Sequence, residues 1–109
     1  MEERFNVTGK VQGVFFRKTF TIALQERGLK GGATNCSKDK SIVHCTVIGS
    51  NQDREDLKRD LLNVKKVNTL GAMVNFIKEV DHGISFHDHD LHTDKLKSKS
   101  IGPGIKSYL

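Results

Sequence analysis

Apolar residues in this chain recur first at every second position and then on a 3.6-residue period, and the two periods alternate in a set order. Phe5 and Val7 alternate with polar neighbours from Arg4 to Thr8, which predicts a strand. Phe16, Phe20, Ala23 and Leu24 then fall at i, i+4, i+7 and i+8, which predicts a helix from Phe16 to Arg27 with one apolar face. Gly28 is placed to end it as a left-handed cap, with Leu29 supplying the hydrophobic contact that accompanies such caps. Two short strands follow, Gly32–Cys36 and Ile42–Ile48, joined by the polar turn Ser37-Lys38-Asp39-Lys40-Ser41. Val43, Cys45 and Val47 share one face of the second.

Ser50-Asn51-Gln52-Asp53 fits a capping box, and Asp53, Glu55 and Asp56 suit the positive end of a second helix. Its buried stripe is Leu57, Leu61 and Val64. Ala72–Val80 is a last strand with Val74, Phe76 and Val80 expected on one face, and Ile84-Ser85-Phe86 has room to add a short edge strand. The order βαββαβ is that of an α+β, ferredoxin-like sandwich, in which two amphipathic helices cover one face of an antiparallel sheet.

A chain of 109 residues is one domain's worth, and it has a modest core at 36% hydrophobic residues. The domain is expected over residues 1–91, with residues 92–109 as a flexible tail, because the pattern dissolves there into Lys, Ser and Gly. Two cysteines are too few for a disulfide scaffold, and no apolar run approaches a membrane span, so the expectation is a cytoplasmic protein with reduced thiols. Monomer is the default for so small and polar a body. Net charge is +5, and it resides in residues 1–80, with 14 Lys/Arg against 9 Asp/Glu. Such a field attracts anions, from small phosphates to nucleic acid. The stretch holding His82, His87, His89 and His92 among Asp81, Asp88, Asp90 and Asp94 reads as a solvated terminus; no metal site is assigned.

The informative segment is Gly9-Lys10-Val11-Gln12-Gly13-Val14-Phe15-Phe16-Arg17, which joins the first strand to the first helix. A strand-to-helix loop turns backbone N–H groups and the helix N-terminus toward one place, a natural anion site. Gly13 permits close backbone approach, and Arg17 in the first turn can fork two donors onto phosphate oxygens.

Val11-Gln12-Gly13-Val14-x-Phe16-Arg17 resembles the signature of the acylphosphatase family, and Gly28-Leu29-x-Gly31-x-x-x-Asn35 resembles its second motif. The resemblance spans roughly residues 4–80. It implies a four-stranded antiparallel sheet with two helices on one face. It also implies hydrolysis of a small-molecule acyl phosphate to a carboxylate and inorganic phosphate, without metal or cofactor. Carried over by motif position, the backbone of Gln12, Gly13, Val14, Phe15, Phe16 and Arg17 with the Arg17 guanidinium would hold the phosphate. Asn35 would orient the attacking water. The chain departs from the family at Gly32, where an aromatic is common, and at Lys38-Asp39-Lys40, where Asp-Gly is common.

Two other classes fit parts of this sequence. One is an inactive relative that binds phosphate, against which the presence of both Arg17 and Asn35 argues. The other is a nucleic-acid-binding module on the open sheet. Aromatics are only 6% of residues and no RNP-like aromatic pair is evident, so nucleic acid is set aside as the main partner.

Overall fold

In a computed structural model, which describes residues 1–98 and 100–109, the elements are β1 (Glu2–Lys10), α1 (Phe16–Glu26), β2 (Lys30–Asn35), β3 (Ile42–Ile48), α2 (Asn51–Asn63), β4 (Met73–Glu79) and β5 (Leu91–His92). The sheet order is β4-β1-β3-β2-β5, antiparallel throughout. The α+β ferredoxin-like arrangement is as expected, with a fifth short strand added at the β2 edge.

Register follows from the alternation. Phe5 pairs with Cys45 and Val7 with Val43, and Ala33 pairs with Cys45 from the other side. These side chains therefore share one sheet face, where they are buried with Phe16, Phe20 and Leu24 of α1 and Leu57 and Leu61 of α2. A one-residue slip would turn that whole set to solvent, which is why the register is unambiguous. Phe20 stacks on Phe16 at 5.7 Å and meets Phe5 edge-on at 6.3 Å, tying α1 to the centre of the sheet.

The helix ends behave as the local chemistry dictates. Gly28 adopts φ 72°, its N–H donates to the Gln25 carbonyl and the Leu29 N–H to that of Leu24, so orphan carbonyls of α1 are satisfied. Ser50 Oγ accepts from the Asp53 N–H at 3.1 Å and caps α2. Glu3 on β1 binds both Arg54 and Lys58, fastening α2 across the sheet.

β4 differs from its expected pattern. Thr8 faces Phe76 while Gly9 faces Val74, so Asn75 is an extra residue in the ladder. This bulge reverses the alternation: Val74 is buried and Ile77 packs on the core, whereas Phe76 is 54% exposed. The bulge depends on Gly9, at φ 153°, because a Cβ there would lie 2.2 Å from the Met73 carbonyl oxygen.

After β4 the chain crosses the sheet face opposite the helices. Arg4 donates to the Gly83 carbonyl and Thr46 Oγ1 to that of Ile84 (2.8 Å). The edge strand is not at Ile84-Ser85-Phe86: residues 86–88 form a 3-10 turn, and pairing with β2 waits until Leu91–His92. The expected division at residue 91 falls inside β5. Beyond it, Tyr108 N–H donates to the Val67 carbonyl, Thr69 N–H to that of Lys106, and Leu109 packs against the core. Lys99, within the expected tail, lies outside the described residues. Among the described residues no helix is long and apolar enough to cross a membrane.

Gly9→Ala must either break the ladder contact with Met73 or expel the bulge. It is expected to cost about 2–4 kcal/mol, read as a lower denaturant midpoint; an unchanged midpoint would refute this role for the bulge.

Candidate active site

The loop between β1 and α1 borders a cavity of about 410 Å³ lined by Val11, Gly13, Phe15, Phe16, Arg17, Lys18, Asn35, Asp90 and Leu91. Four of the six candidate cradle residues, Gly13, Phe15, Phe16 and Arg17, thus share one space with Asn35 at the end of β2. Gln12 and Val14 do not line it. Their work is to hold the loop.

Gln12 Nε2 lies within hydrogen-bonding distance of three carbonyls, those of Cys36 (3.0 Å), Asp39 (3.2 Å) and Ile42 (2.9 Å). It therefore clamps the loop to both arms of the β2–β3 hairpin. That hairpin turn lacks Asp-Gly and is closed instead by the Asp39 carboxylate, which accepts from the Ser41 N–H (2.8 Å) and hydroxyl (2.6 Å). The same bonds lower the Asp39 pKa.

The other end of the loop is held by Asn68, a residue for which the sequence offered no signal. It is fully buried, in the connection from α2 to β4. Its Nδ2 donates to the Val14 carbonyl (2.8 Å) and Thr19 Oγ1 (2.9 Å), and its Oδ1 accepts from the N–H groups of Leu70 and Ala72. A buried amide that uses both ends costs little to bury and fixes what it touches.

With side chains fixing the loop, its backbone donors are left over. Among the described residues, no backbone N–H from Gln12 to Arg17 donates to a protein acceptor. Phe15, the N-cap of α1, sits at φ 54°, the one non-glycine with positive φ among the described residues, and its carbonyl accepts from the Thr19 N–H and hydroxyl. The first turn of α1 carries no acidic residue. It carries Arg17 and Lys18 at the positive end of the helix dipole, an unfavourable placement unless an anion is present. Asn35 Oδ1 is buried and has no hydrogen-bond partner. The arrangement can bind an oxyanion through backbone donors and a forked guanidinium, with the Asn35 carboxamide bordering the same cavity.

A family model described as acylphosphatase matches residues 3–89. The chain belongs to the acylphosphatase family. An acylphosphatase crystal structure from Bacillus subtilis is 22% identical, covering 81% of this chain and 91% of that one with a TM-score of 0.59. An acylphosphatase structure from Coxiella burnetii is 27% identical, covering 81% and 90% respectively, with a TM-score of 0.54. No curated protein sequence matches the chain.

The departure from the family pattern at Gly32 has a physical reason here. A Cβ at Gly32 would lie 2.5 Å from the Leu91 carbonyl oxygen and 2.9 Å from the Cβ atoms of His89 and His92. Glycine lets the segment from His89 to His92 lie directly on β2. That segment is then bolted down by His89, which is only 3% exposed. Thr46 Oγ1 donates to Ile84, so it accepts from His89 Nε2–H (2.7 Å), which leaves Nδ1 to accept from the Thr34 hydroxyl (2.9 Å). Thr34 Oγ1 in turn accepts from the Asp90 N–H (2.8 Å). Asp90 is thereby delivered to the cavity, where its carboxylate meets Arg17 Nη1 at 3.1 Å. The stretch expected as a solvated terminus supplies one wall of the site. Nothing local in its sequence marks this, because the partners lie 55 and 73 residues away.

Burial pushes the His89 pKa down to about 4, with the charge of His44 the next cause. A detached segment would regain the ordinary histidine value of about 6.5 and bind a proton that the docked one refuses. Docking is therefore at full strength above about pH 6.5 and weakens as pH falls toward 4. The expected result is a His89 NMR titration midpoint near 4, with faster opening of the Asp90 amide in hydrogen exchange across that window. A midpoint near 6.5 would show that His89 is not the bolt.

Proposed function

We propose that this protein hydrolyses acyl phosphates to a carboxylate and inorganic phosphate. The observation that carries the reading is the set of unused backbone N–H groups of the β1–α1 loop beside the Arg17 guanidinium, at a cavity that Arg17 and Asn35 both line. Membership of the acylphosphatase family supports it independently.

In this mechanism the loop N–H groups and Arg17 hold the phosphoryl oxygens. The Asn35 carboxamide hydrogen-bonds a water and orients the water's lone pair toward phosphorus. The water oxygen bonds to phosphorus while the bridging P–O bond breaks, and the electron pair leaves on the carboxylate. The water's proton passes to the phosphate formed. A carboxylate whose conjugate acid has a pKa of about 4 departs at neutral pH without a proton, so no general acid is needed. Phosphoryl transfer rests chiefly on position and on stabilising equatorial charge, which donors and one fixed cation supply. Neither step calls on a thiol: Cys45 is buried and burial pushes its thiol pKa up. Both cysteines are free, which fits work in the cytoplasm.

Turnover of benzoyl phosphate in EDTA tests the reading. Wild type is expected to be active, and Arg17→Ala and Asn35→Ala are each expected to lose at least 10²- to 10³-fold in kcat. Arg17→Lys is expected to fail as well, since a point charge does not reproduce the fork. Absence of turnover by folded wild type, or full activity in either alanine variant, would overturn it.

A further inference from the structure

The cavity has more wall than a phosphate group needs, and the extra wall has a distinct chemistry. Resting on the acyl-phosphatase reading above, we propose that this site selects acyl phosphates whose acyl group is uncharged and apolar. Phe15 and Leu91 form the platform, and Asp90 excludes acyl groups that carry a second negative charge.

The cavity volume of about 410 Å³ is within the range of small-molecule sites. The loop donors, Arg17 and Asn35 account for one end. The remaining lining includes Val11, Phe15 and Leu91, which are apolar, Asp90, which is acidic, and Lys18, which stands beside Arg17 in the first turn of α1. Phe15 is 55% exposed although it is large and apolar, and it is held in a left-handed conformation that costs a non-glycine residue free energy. An exposed ring kept at such a position offers a face for an acyl group emerging from the phosphate cradle. The side chain of Asp90 is half exposed and bonds Arg17 through one oxygen only, so it does not fill the guanidinium fork. Its backbone is fixed by the Thr34–His89–Thr46 chain, and β5 pairing follows immediately. With its backbone fixed and its side chain short, Asp90 keeps its charge at the cavity whichever rotamer it adopts. An acyl phosphate with an uncharged tail meets the positive end of the site and passes Asp90. One with a carboxylate on its tail meets like charge at short range in a partly desolvated space.

The test compares kcat/KM for benzoyl, acetyl and succinyl phosphate in wild type and in Asp90→Asn, Asp90→Glu and Phe15→Ala. Wild type is expected to prefer benzoyl over succinyl phosphate by at least about tenfold. Asp90→Asn should narrow that ratio by on the order of tenfold through a gain on succinyl phosphate, while Asp90→Glu, which keeps the charge, retains it. The wild-type ratio should also shrink with added salt, and that of Asp90→Asn should not. Phe15→Ala should lower the benzoyl-to-acetyl ratio by roughly three- to tenfold and leave the succinyl-to-acetyl ratio unchanged. Hydrolysis of all three substrates with ratios unmoved by these substitutions would overturn the selectivity and leave the enzyme reading intact. Hydrolysis of none would overturn the enzyme reading itself.

Discussion

Backbone N–H groups can serve a ligand only if the protein does not use them itself, and that requirement shapes everything around the β1–α1 loop. A loop with unused donors has no ladder to hold it. Two carboxamide side chains do the holding instead. Gln12 reaches across to three carbonyls of the β2–β3 hairpin, and Asn68 grips the Val14 carbonyl from the α2–β4 connection. Apart from the exposed bond from Gln12 to Asp39, these bonds lie in a partly or fully buried setting, where losing a partner costs roughly 1–3 kcal/mol per orphaned group. The loop is therefore rigid without being self-satisfied, and preorganised donors of this kind need no reorganisation when charge develops.

The second structural commitment is the crossing segment. The sheet ends with β4 at one edge, and the open edge of β2 lies at the other, so the chain must traverse the outer face to cover it. It does so with side chains that would be costly if unpaired: a buried neutral histidine between two threonines, and a threonine at 93 that exchanges bonds with Gly31. Covering the β2 edge removes one exposed row of ladder groups. The same route carries Asp90 to Arg17. A half-exposed ion pair of this type adds little stability, so its consequence is felt at the site rather than in the fold.

Much of this was legible in the residues. Alternation at Phe5, Val7, Val43, Cys45 and Val47 and the 3.6-residue stripe of α1 set the strands, helices and register, because burial of one face leaves no other solution. The site's two motifs sit on local elements, and the structure brings Arg17 and Asn35 to one cavity. What the sequence hid is non-local. The bulge at Asn75 depends on a close approach between Gly9 and Met73, and it turned Phe76 outward against its period. Asn68 looks like any polar loop residue until its four bonds are counted. Asp90 and His89 lie in a string of His and Asp with no apolar periodicity, and only Gly32, far away, hints that something must pack there.

The proposed anion cradle is the set of loop donors from Gln12 to Arg17. Titrating inorganic phosphate into ¹⁵N-labelled protein while following amide shifts tests it most directly. The predicted result is saturable shifts concentrated at the backbone amides of Gly13 to Arg17 and the Asn35 side-chain amide, abolished in Arg17→Ala. Shifts confined to the lysine-rich C-terminal residues, or none at millimolar phosphate, would contradict it.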